Sequence, residues 1–288
     1  MDVAKLVALI LGSNEDLEQA WGVANAKGPR LPLVLVPTTA GTGSEVTPVA
    51  IITVGEEEKK GVSSSIILPD LAILDPELTL GLPARTTAAT GIDAMVHAIE
   101  AYASTNKNNN LISKMIAIEA LKLLGKSIET AVLDGSNLEA RGNMLIGSML
   151  AGKAFANSPV AAVHALAYPI GGTFHVSHGL SNSLVLPYVL RFNSVDAKAA
   201  KYYSELAQYV FPDLDINKGT QAVCAEFINT LEDLSKRLGL PQKLREVNIP
   251  NEACKKMASD AMKQTRLLVN NPREVTETDA FNIYQAAW

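Results

Sequence analysis

Asp93 and His97 form the first pair of residues in the chain that is suited to catalysis or metal binding. They lie four positions apart, so on a helix the carboxylate and the imidazole would share one face and point at the same place. The residues between them, Ala94, Met95 and Val96, are apolar and predict a buried helix. A buried aspartate needs a partner, although the spacing by itself is also that of an exposed Asp–His pair.

Further candidate donors come from a stretch without ordinary charged residues. Residues 154–190 contain no Asp, Glu, Lys or Arg, but they contain His164, His175 and His178. Imidazoles from this stretch, together with Asp93 and His97, would suit a borderline divalent cation, with Fe(II) or Zn(II) as the leading choices. A hydrogen-bonded histidine in the core is the ordinary alternative for each imidazole, and the residue types alone leave both interpretations open.

The loop Thr38–Glu45 follows a predicted strand and is the second candidate site. Gly41 and Gly43 would let the backbone approach a ligand, and the threonine and serine hydroxyls can donate to phosphate oxygens. The loop matches neither the G-x-x-x-x-G-K-[ST] motif nor the G-x-G-x-x-G motif. Nucleotide binding at a strand end and an ordinary connecting loop therefore both fit the pattern.

The composition is that of a globular protein. Of the 288 residues, 48% are hydrophobic and 19% are charged, which predicts a sizeable core and, at this length, two domains. The net charge of −5 and the lack of a Lys/Arg run argue against nucleic acid and anionic membranes as partners. Prolines, glycines and histidines in the uncharged stretch argue against a membrane span.

Cysteine usage and the first residues bear on location. Cys224 and Cys254 form neither a disulfide framework nor a C-x-x-C pair. The chain does not start with the basic and apolar pattern of a signal peptide. A reducing, cytoplasmic setting is therefore expected.

The elements that would position these groups divide the chain into two parts. Over about the first 80 residues, helix and strand signals alternate, as in α/β layers. The patterns predict helices over Asp2–Leu11 and Asn14–Lys27, strands over Leu31–Val36, Val49–Val54 and Leu71–Leu74, and an exposed turn over Gly55–Gly61. Asn14 is the predicted N-cap of the second helix.

From Thr86 onward the pattern is helical almost to the end of the chain. Helices are predicted over Asp93–Ala103, Leu111–Leu124, Leu138–Ala156, Ser181–Phe192, Lys198–Val210, Thr220–Leu238, Glu252–Thr265 and Thr278–Ala287. Short connections with Gly, Pro, Asn and Asp separate them. We therefore expect an α/β domain over residues 1–85 and an all-helical domain over residues 86–288.

Several segments together resemble the iron-containing (group III) alcohol dehydrogenases. They are Pro37-Thr-Thr-Ala-Gly-Thr-Gly-Ser-Glu45, Gly91-Ile-Asp-Ala-Met-Val-His-Ala-Ile-Glu100, the stretch from His164 to His178-Gly with Leu186-Pro187 after it, Asn271-Pro-Arg-Glu274, and the terminal Ile283-Tyr-Gln-Ala-Ala-Trp288. They occur in the family's order and spacing over the whole chain. The two long motifs are specific, so accidental agreement is very improbable.

The resemblance implies a dehydroquinate-synthase-like architecture. Its parts are a Rossmann-like dinucleotide-binding domain, present here in part, and an all-α metal-binding domain, with the metal in the cleft between them. The metal ligands that it implies are Asp93, His97, His164 and His178. In this comparison His175 lines the substrate side, and His175 replacing His178 as a ligand is the alternative assignment.

The resemblance also implies how the other candidate residues act. Thr38, Thr39 and Thr42 would contact NAD or NADP, and Lys59 matches a lysine near the nicotinamide ribose. Tyr168 stands where many members have a second histidine that helps to relay a proton. Its phenol, with an ordinary pKa of about 10, is a poorer proton relay at neutral pH than an imidazole.

The implied activity is hydride transfer between a primary or secondary alcohol, or its aldehyde or ketone, and NAD(P), with Fe(II) or Zn(II) as Lewis acid. A homodimer or larger homo-oligomer is expected. Alternatives are a dehydroquinate-synthase-like lyase and an inactive metal-binding fragment of a dehydrogenase. The lyase needs a basic cluster for a phosphate, whereas Arg141, Arg191 and Arg266 are scattered.

The chain departs from the family at its beginning. In relatives the segment matching Asp2-x-Ala-Lys5 follows a Gly-Gly-Gly-Ser loop that cradles the pyrophosphate, and strands that hold the adenosine precede this loop. About a hundred residues of a typical nucleotide-binding domain are then not accounted for. On this basis, weak or no dinucleotide binding is expected from the 288 residues alone.

Overall fold

The computed structural model describes residues 1–55 and 58–288, and at 58 and 59 it describes the backbone alone. Its strands are β1 (Gly22–Val23), β2 (Val34–Leu35), β3 (Val49–Val54), β4 (Glu58–Ser63) and β5 (Leu71–Ala72). In one sheet β4 lies between β1, to which it is parallel, and β3, to which it is antiparallel. β2 and β5 pair in parallel in a second sheet.

The helices account for most of the chain. They are α1 (Asp2–Ser13), α2 (Leu17–Ala20), α3 (Ala84–Ala103), α4 (Leu111–Leu133), α5 (Leu138–Asn157), α6 (Ala162–Phe174), α7 (His178–Asn193), α8 (Ala197–Val210), α9 (Thr220–Arg237), α10 (Ala253–Ala261), α11 (Thr265–Leu268) and α12 (Glu277–Ala287). The predicted fold class, a small α/β part followed by a large all-α part, is confirmed.

The second predicted helix is largely wrong. Asn14 ends α1 instead of starting a helix: it adopts a left-handed conformation, and its backbone N–H donates to the Ile10 carbonyl. Asp16 caps the short helix α2 through the Glu18 backbone N–H. Four residues are helical where fourteen were expected, because β1 pairs with β4 immediately afterwards.

The strand predictions are correct in position and uneven in length. β3 has the predicted bounds, whereas β2 and β5 are two residues long each. The exposed turn predicted for Gly55–Gly61 is wrong in part, since residues 58–63 form β4, which pairs with β3. Glu56 and Glu57 lie outside the described residues. β4 begins with consecutive charged residues, which resemble a turn, so the sequence did not indicate a strand here although its partner β3 lies next to it in sequence.

Among the helices, α6 escaped prediction. This helix contains Pro169, Gly171 and Gly172, and such residues are typical of loops. Neighbouring helices bury Leu166 and Ile170, so packing overrides the local preference. The predicted helix Glu252–Thr265 is also interrupted and continues as the separate turn α11.

The main core lies in the helical part. Its largest cluster joins buried side chains from α3 to α12, while a small second cluster in the α/β part includes Leu6, Leu9 and Ile67. The C-terminal half of α3 is buried on all sides, which makes it the central helix. None of the helices in the described part of the chain is long and apolar enough to cross a membrane.

Candidate metal centre

The central helix α3 presents Asp93 and His97 to the interior. Both are almost completely buried, at 2% and 5% exposure. A carboxylate is costly to bury, and it is tolerated here only where cations, imidazoles or N–H donors surround it. Apart from Glu100, most side chains of this half of the helix are apolar, and the helix packs against α4, α5 and α7. The i, i+4 spacing therefore places both groups on one face, as predicted.

Two further helices bring the remaining imidazoles to this face. His164 lies in the first turn of α6 and is buried, and His178 is the first residue of α7 and is exposed. One donor atom from each of Asp93, His97, His164 and His178 lies within 4.8 Å of every other. Asp93 Oδ1 is 3.9 Å from His164 Nε2 and 3.6 Å from His178 Nε2. The structure thus brings together the four residues that the sequence singled out.

Gly179 makes this convergence possible. A Cβ atom at this position would lie 2.3 Å from the Ala89 carbonyl oxygen and 3.2 Å from Asp93 Cβ. Any side chain would push the start of α7 away from α3, and His178 would move with it. The glycine that follows His178 is therefore required for the approach of the two helices.

Glu100 orients His164 and was missed in the sequence. Its Oε2 lies 2.6 Å from His164 Nδ1, and its Oε1 accepts a hydrogen bond from the Val163 backbone N–H at 2.7 Å. With Nδ1–H donating to this carboxylate, the lone pair of His164 Nε2 faces Asp93. The available signal was the position of Glu100, seven residues after Asp93 and on the same face of an apolar helix.

The loop Thr38–Glu45, which lies between β2 and β3, contacts His97. Its Nδ1 lies 3.2 Å from the Gly41 carbonyl oxygen, and its ring stacks on Phe155 and His164, with centroids 4.5 and 4.6 Å away. Burial lowers the pKa of His97 to about 3, in spite of the opposing charge of Asp93. The imidazole is therefore neutral at physiological pH, with a lone pair on Nε2.

The carboxylate of Asp93, by contrast, stays charged in spite of its burial. Burial alone would raise its pKa, but the nearby imidazoles and a hydrogen bond from Asn182 outweigh burial, so the pKa is lowered. Asn182 Nδ2 donates to Asp93 Oδ1 at 2.6 Å. Asn182 Oδ1 is buried without a hydrogen-bond partner among the described residues.

The arrangement fits a divalent cation. One ionised carboxylate and three imidazoles, at least two of them oriented by a partner on Nδ1, form the nitrogen and oxygen set that Fe(II) and Zn(II) accept. Glu100 and the Gly41 carbonyl supply the outer hydrogen bonds that accompany imidazole ligands. A buried polar cluster of this kind would be expensive to keep without a cation to neutralise it.

The threonines of the loop Thr38–Glu45, between β2 and β3, line a cleft of about 520 Å³. Thr38, Thr39 and Thr42 face this cleft together with the first residues of α1, Ser44 and two isoleucines of β3. The sequence predicted that Gly41 and Gly43 would let the backbone approach a ligand, but these glycines are not among the residues that line the cleft. A Cβ at Gly41 would lie 2.8 Å from Thr90 Cβ, and one at Gly43 would lie 2.5 Å from the Cα of a glycine in α5. Both glycines serve the packing of the loop onto helices.

The other predicted residues have different surroundings. Lys59 pairs with Thr53 through the β3–β4 ladder, and its side chain lies outside the described part of the structure. Tyr168 is partly buried with its ring centroid 6.1 Å from that of His178, and burial raises its pKa although Arg266 beside it acts in the opposite direction. His175 is exposed and ends α6 in a left-handed conformation.

Two of the scattered arginines have protein partners. Arg141 donates to the Thr87 hydroxyl and to the Gly135 carbonyl, and Arg191 pairs with Glu232. Neither lies in the donor cluster. These contacts use the cations for packing between elements, and they leave no basic cluster from these two residues for a phosphate-bearing carbocycle.

Comparison with known proteins gives the same family over both parts of the chain. Residues 1–76 match the profile described as iron-containing alcohol dehydrogenase, and residues 87–288 match the Fe-containing alcohol dehydrogenase family, C-terminal. Long-chain-alcohol dehydrogenase 1 of Geobacillus thermodenitrificans is 40% identical over 100% of this chain and 72% of its own length. The 1,3-propanediol dehydrogenase of Citrobacter freundii is 36% identical over 100% of this chain and 73% of its own length.

Solved structures agree with this result. A 1,3-propanediol oxidoreductase superimposes with a TM-score of 0.94 at 35% identity, over 100% of this chain and 74% of that chain. A sulfoacetaldehyde reductase from Bifidobacterium kashiwanohense in complex with NAD+ superimposes with a TM-score of 0.84 at 31% identity, over 99% of this chain and 73% of that chain. The fold is therefore shared along nearly the full 288 residues.

Proposed function

This chain belongs to the iron-containing alcohol dehydrogenase family, and from that premise we propose that Asp93, His97, His164 and His178 hold Fe(II), with Zn(II) as an alternative. The protein is an oxidoreductase that interconverts alcohols and their carbonyl products with a nicotinamide cofactor. The observation that supports the proposed ligand set is the approach of all four donor atoms to within 4.8 Å. A bound cation supplies Lewis acidity toward the substrate oxygen.

The residues of the chain prepare the site for this chemistry. Glu100 and the Gly41 carbonyl hold two imidazoles with their Nε2 lone pairs turned inward. Burial of Asp93 and His97 excludes water and keeps the imidazole neutral, which preserves its ability to bind a cation. Exposure of His178 leaves one side of the cluster accessible to substrate.

We propose that Thr38, Thr39 and Thr42 bind the cofactor in the cleft, with Lys59 near the ribose. NAD+ supplies the hydride acceptor when bound. The cleft and the donor cluster are connected, because the loop that carries the threonines also carries the carbonyl that accepts from His97. A cofactor that shifts this loop would therefore shift a proposed ligand as well.

For Tyr168 and His175 we propose roles on the substrate side. The raised pKa of Tyr168 keeps its hydroxyl protonated at neutral pH, so it can donate a hydrogen bond but not act as a general base. Tyr168→Phe should therefore leave the shape of the pH–kcat profile between about pH 6 and 9 unchanged, whereas Tyr168→His should add an ionisation near an imidazole's pKa of about 6.5. A wild-type ionisation that disappears in Tyr168→Phe would contradict this assignment.

Further proposals concern the organisation of the molecule. We propose that residues 1–85 form the dinucleotide-binding part of the molecule and residues 86–288 the metal-binding domain. We also propose a cytoplasmic location and a homodimer or larger homo-oligomer, which sedimentation equilibrium would test directly. A protein that sediments as a monomer at all concentrations would overturn the last of these.

One assay tests the function. The purified chain, stripped of metal with a chelator, is supplied with NAD+ and short alcohols, with and without added Fe(II). Because dinucleotide binding by these residues alone is expected to be weak, NAD+ is supplied at high concentration. Metal-dependent formation of NADH supports the proposal, and Asp93→Ala should abolish it. Full activity after metal removal, or in Asp93→Ala, would contradict the proposed ligand set. Metal binding without any turnover would instead identify the inactive metal-binding fragment.

A further inference from the structure

Asn182 stands in contact with most of the donor cluster, although no motif pointed to it. It lies four residues after His178 on α7, so both side chains share one helix face. The side chain is completely buried. Its Nδ2 lies 2.6 Å from Asp93 Oδ1, 3.2 Å from His164 Nε2 and 3.3 Å from His178 Nε2.

The buried position of the Asn182 side-chain amide is energetically unfavourable. Asn182 Oδ1 is buried and lacks a hydrogen-bond partner among the described residues, which is an unfavourable situation for a carbonyl oxygen. The contacts of Nδ2 are therefore what holds the side chain in this orientation. An apolar residue of similar size would fill the same space without the unsatisfied oxygen, so packing alone does not explain an asparagine here.

The most direct contact is with the ligand oxygen itself. Asp93 Oδ1 accepts the short bond from Asn182, and the same oxygen is the one that lies near Nε2 of His164 and His178. A hydrogen bond to this oxygen fixes the rotation of the carboxylate and keeps its charge in a buried site. The carboxylate is thus turned toward the imidazoles before any cation arrives.

We infer that Asn182 is a positioning residue for the donor set and that it orients the Asp93 carboxylate for a divalent cation. This inference rests on the proposed ligand set. Loss of such an outer hydrogen bond typically weakens metal binding about 10–100-fold, because the ligand must be ordered at the moment of binding. The fold itself should depend on Asn182 no more than on any other buried asparagine.

A matched control lies on the same helix. Asn193 is also buried, at 2% exposure, and its amide donates to the Tyr203 hydroxyl at 3.0 Å and to Asn271 Oδ1 at 3.1 Å. These contacts lie outside the donor cluster. Asn193→Ala should therefore lower the melting temperature without changing the affinity for a cation.

The experiment measures Zn(II) affinity of the full chain by competition with a coloured chelator, for wild type, Asn182→Ala, Asn182→Ser and Asn193→Ala. Serine is too short to reach Asp93 and serves if the alanine variant does not fold. Both Asn182 variants should bind Zn(II) about 10–100-fold more weakly than wild type, and Asn193→Ala should bind it as wild type does. The visible spectrum of Co(II) should change in the Asn182 variants alone.

The outcomes separate this inference from the proposed function. If wild type binds no Zn(II), Co(II) or Fe(II), the ligand set fails, and the inference fails with it. If wild type binds and the Asn182 variants bind equally well with the same Co(II) spectrum, only the inference is overturned. Tighter binding in the Asn182 variants would also overturn it, since the amide would then compete with the cation.

Discussion

At the scale of single residues, the site depends on hydrogen bonds that select one nitrogen of each imidazole. His164 could present either ring nitrogen to Asp93, and Glu100 decides between them by lying 2.6 Å from Nδ1. The same carboxylate accepts from the Val163 N–H at the start of α6. One side chain of α3 therefore fixes both the entry of α6 and the orientation of its histidine.

The first prediction concerns this carboxylate. Glu100→Gln keeps the size of the side chain but replaces a charge-assisted bond to His164 by a neutral one. We expect metal affinity to fall about 10–100-fold, and excess Fe(II) should restore activity. Competition for Zn(II) with a chelator measures the affinity, and activity against added Fe(II) measures the rescue.

The control for this prediction is Glu205→Gln. Glu205 of α8 accepts a hydrogen bond from Tyr102 of α3 at 2.7 Å. Glu205→Gln therefore removes a charge-assisted bond of similar length on another face of α3. Metal affinity should not change in this variant. If Glu100→Gln also left the affinity unchanged, the orienting role of Glu100 would be excluded.

Some residues of the site could be predicted from the sequence, whereas others could not. Asp93 and His97 could be found because an i, i+4 pair on an apolar helix restricts where the side chains point. Glu100 and Asn182 could not be identified in this way, since each acts on a residue of another helix. Their partners lie 64 and 89 positions away in sequence, so the contacts depend on how the helices pack.

At the scale of elements, the junction of α3 and α7 is the most sensitive point. Gly179→Ala would place a methyl group 2.3 Å from the Ala89 carbonyl, so α7 must shift. We expect a loss of about 1–3 kcal/mol in the free energy of unfolding and a loss of metal binding, because His178 moves with the helix. Urea denaturation and Zn(II) titration measure the two effects.

Gly172→Ala is the matched control within α6. A Cβ at Gly172 would meet nothing within 4 Å, and the position is helical. Alanine should therefore be neutral or stabilise the protein by up to about 1 kcal/mol, with metal binding retained. Equal behaviour of the two variants would show that the approach of α7 to α3 does not need a glycine.

A second element-scale prediction concerns the β2–β5 sheet. Asp70 accepts from both terminal nitrogens of Arg30 and from the Leu33 backbone N–H, and the hydrogen bond from Arg30 lowers the pKa of Asp70 to about 2. The folded pKa lies below the ordinary value of 3.8, so this stabilisation is present above pH 3.8 and disappears as the pH falls through 2.

Asp70→Asn should therefore be less stable than wild type near pH 6, and the difference should vanish near pH 2. Denaturation at several pH values measures it. Asp134→Asn serves as the control, because Asp134 accepts hydrogen bonds from Ser136 within its own turn and ties no strands together. A constant difference between wild type and Asp70→Asn from pH 6 to pH 2 would be incompatible with the ion pair.

The elements were predictable to the extent that local pattern and packing agree. β3 has the predicted bounds, and the helices α5, α8, α9 and α12 nearly have them, whereas α3 begins nine residues earlier and α4 ends nine residues later than predicted. α6 was missed because Pro169 and two glycines oppose a helix locally, while burial against α7 and α10 favours it. β4 was missed because its charged residues resemble a turn, although backbone pairing with β3 defines it.

At the scale of the whole molecule, the donor cluster joins three helices of the main core. Asp93 and His97 belong to α3, His164 to α6 and His178 to α7. A cation bound by all four residues would link these helices in the folded state alone. Any ligand that binds only the folded state raises stability in proportion to the logarithm of its concentration over its dissociation constant.

The last prediction follows from this linkage. At a metal concentration about 100 times the dissociation constant, the gain is about 2.7 kcal/mol, so removal with a chelator should lower the melting temperature by about 5–10 °C. Asp93→Ala, which removes the only carboxylate of the set, should melt at the same temperature with and without metal. Thermal denaturation followed by circular dichroism measures both. A wild-type melting temperature that does not respond to the chelator would mean that the cluster does not hold a cation, because three buried donors and one exposed donor on three helices cannot bind one without stabilising their packing.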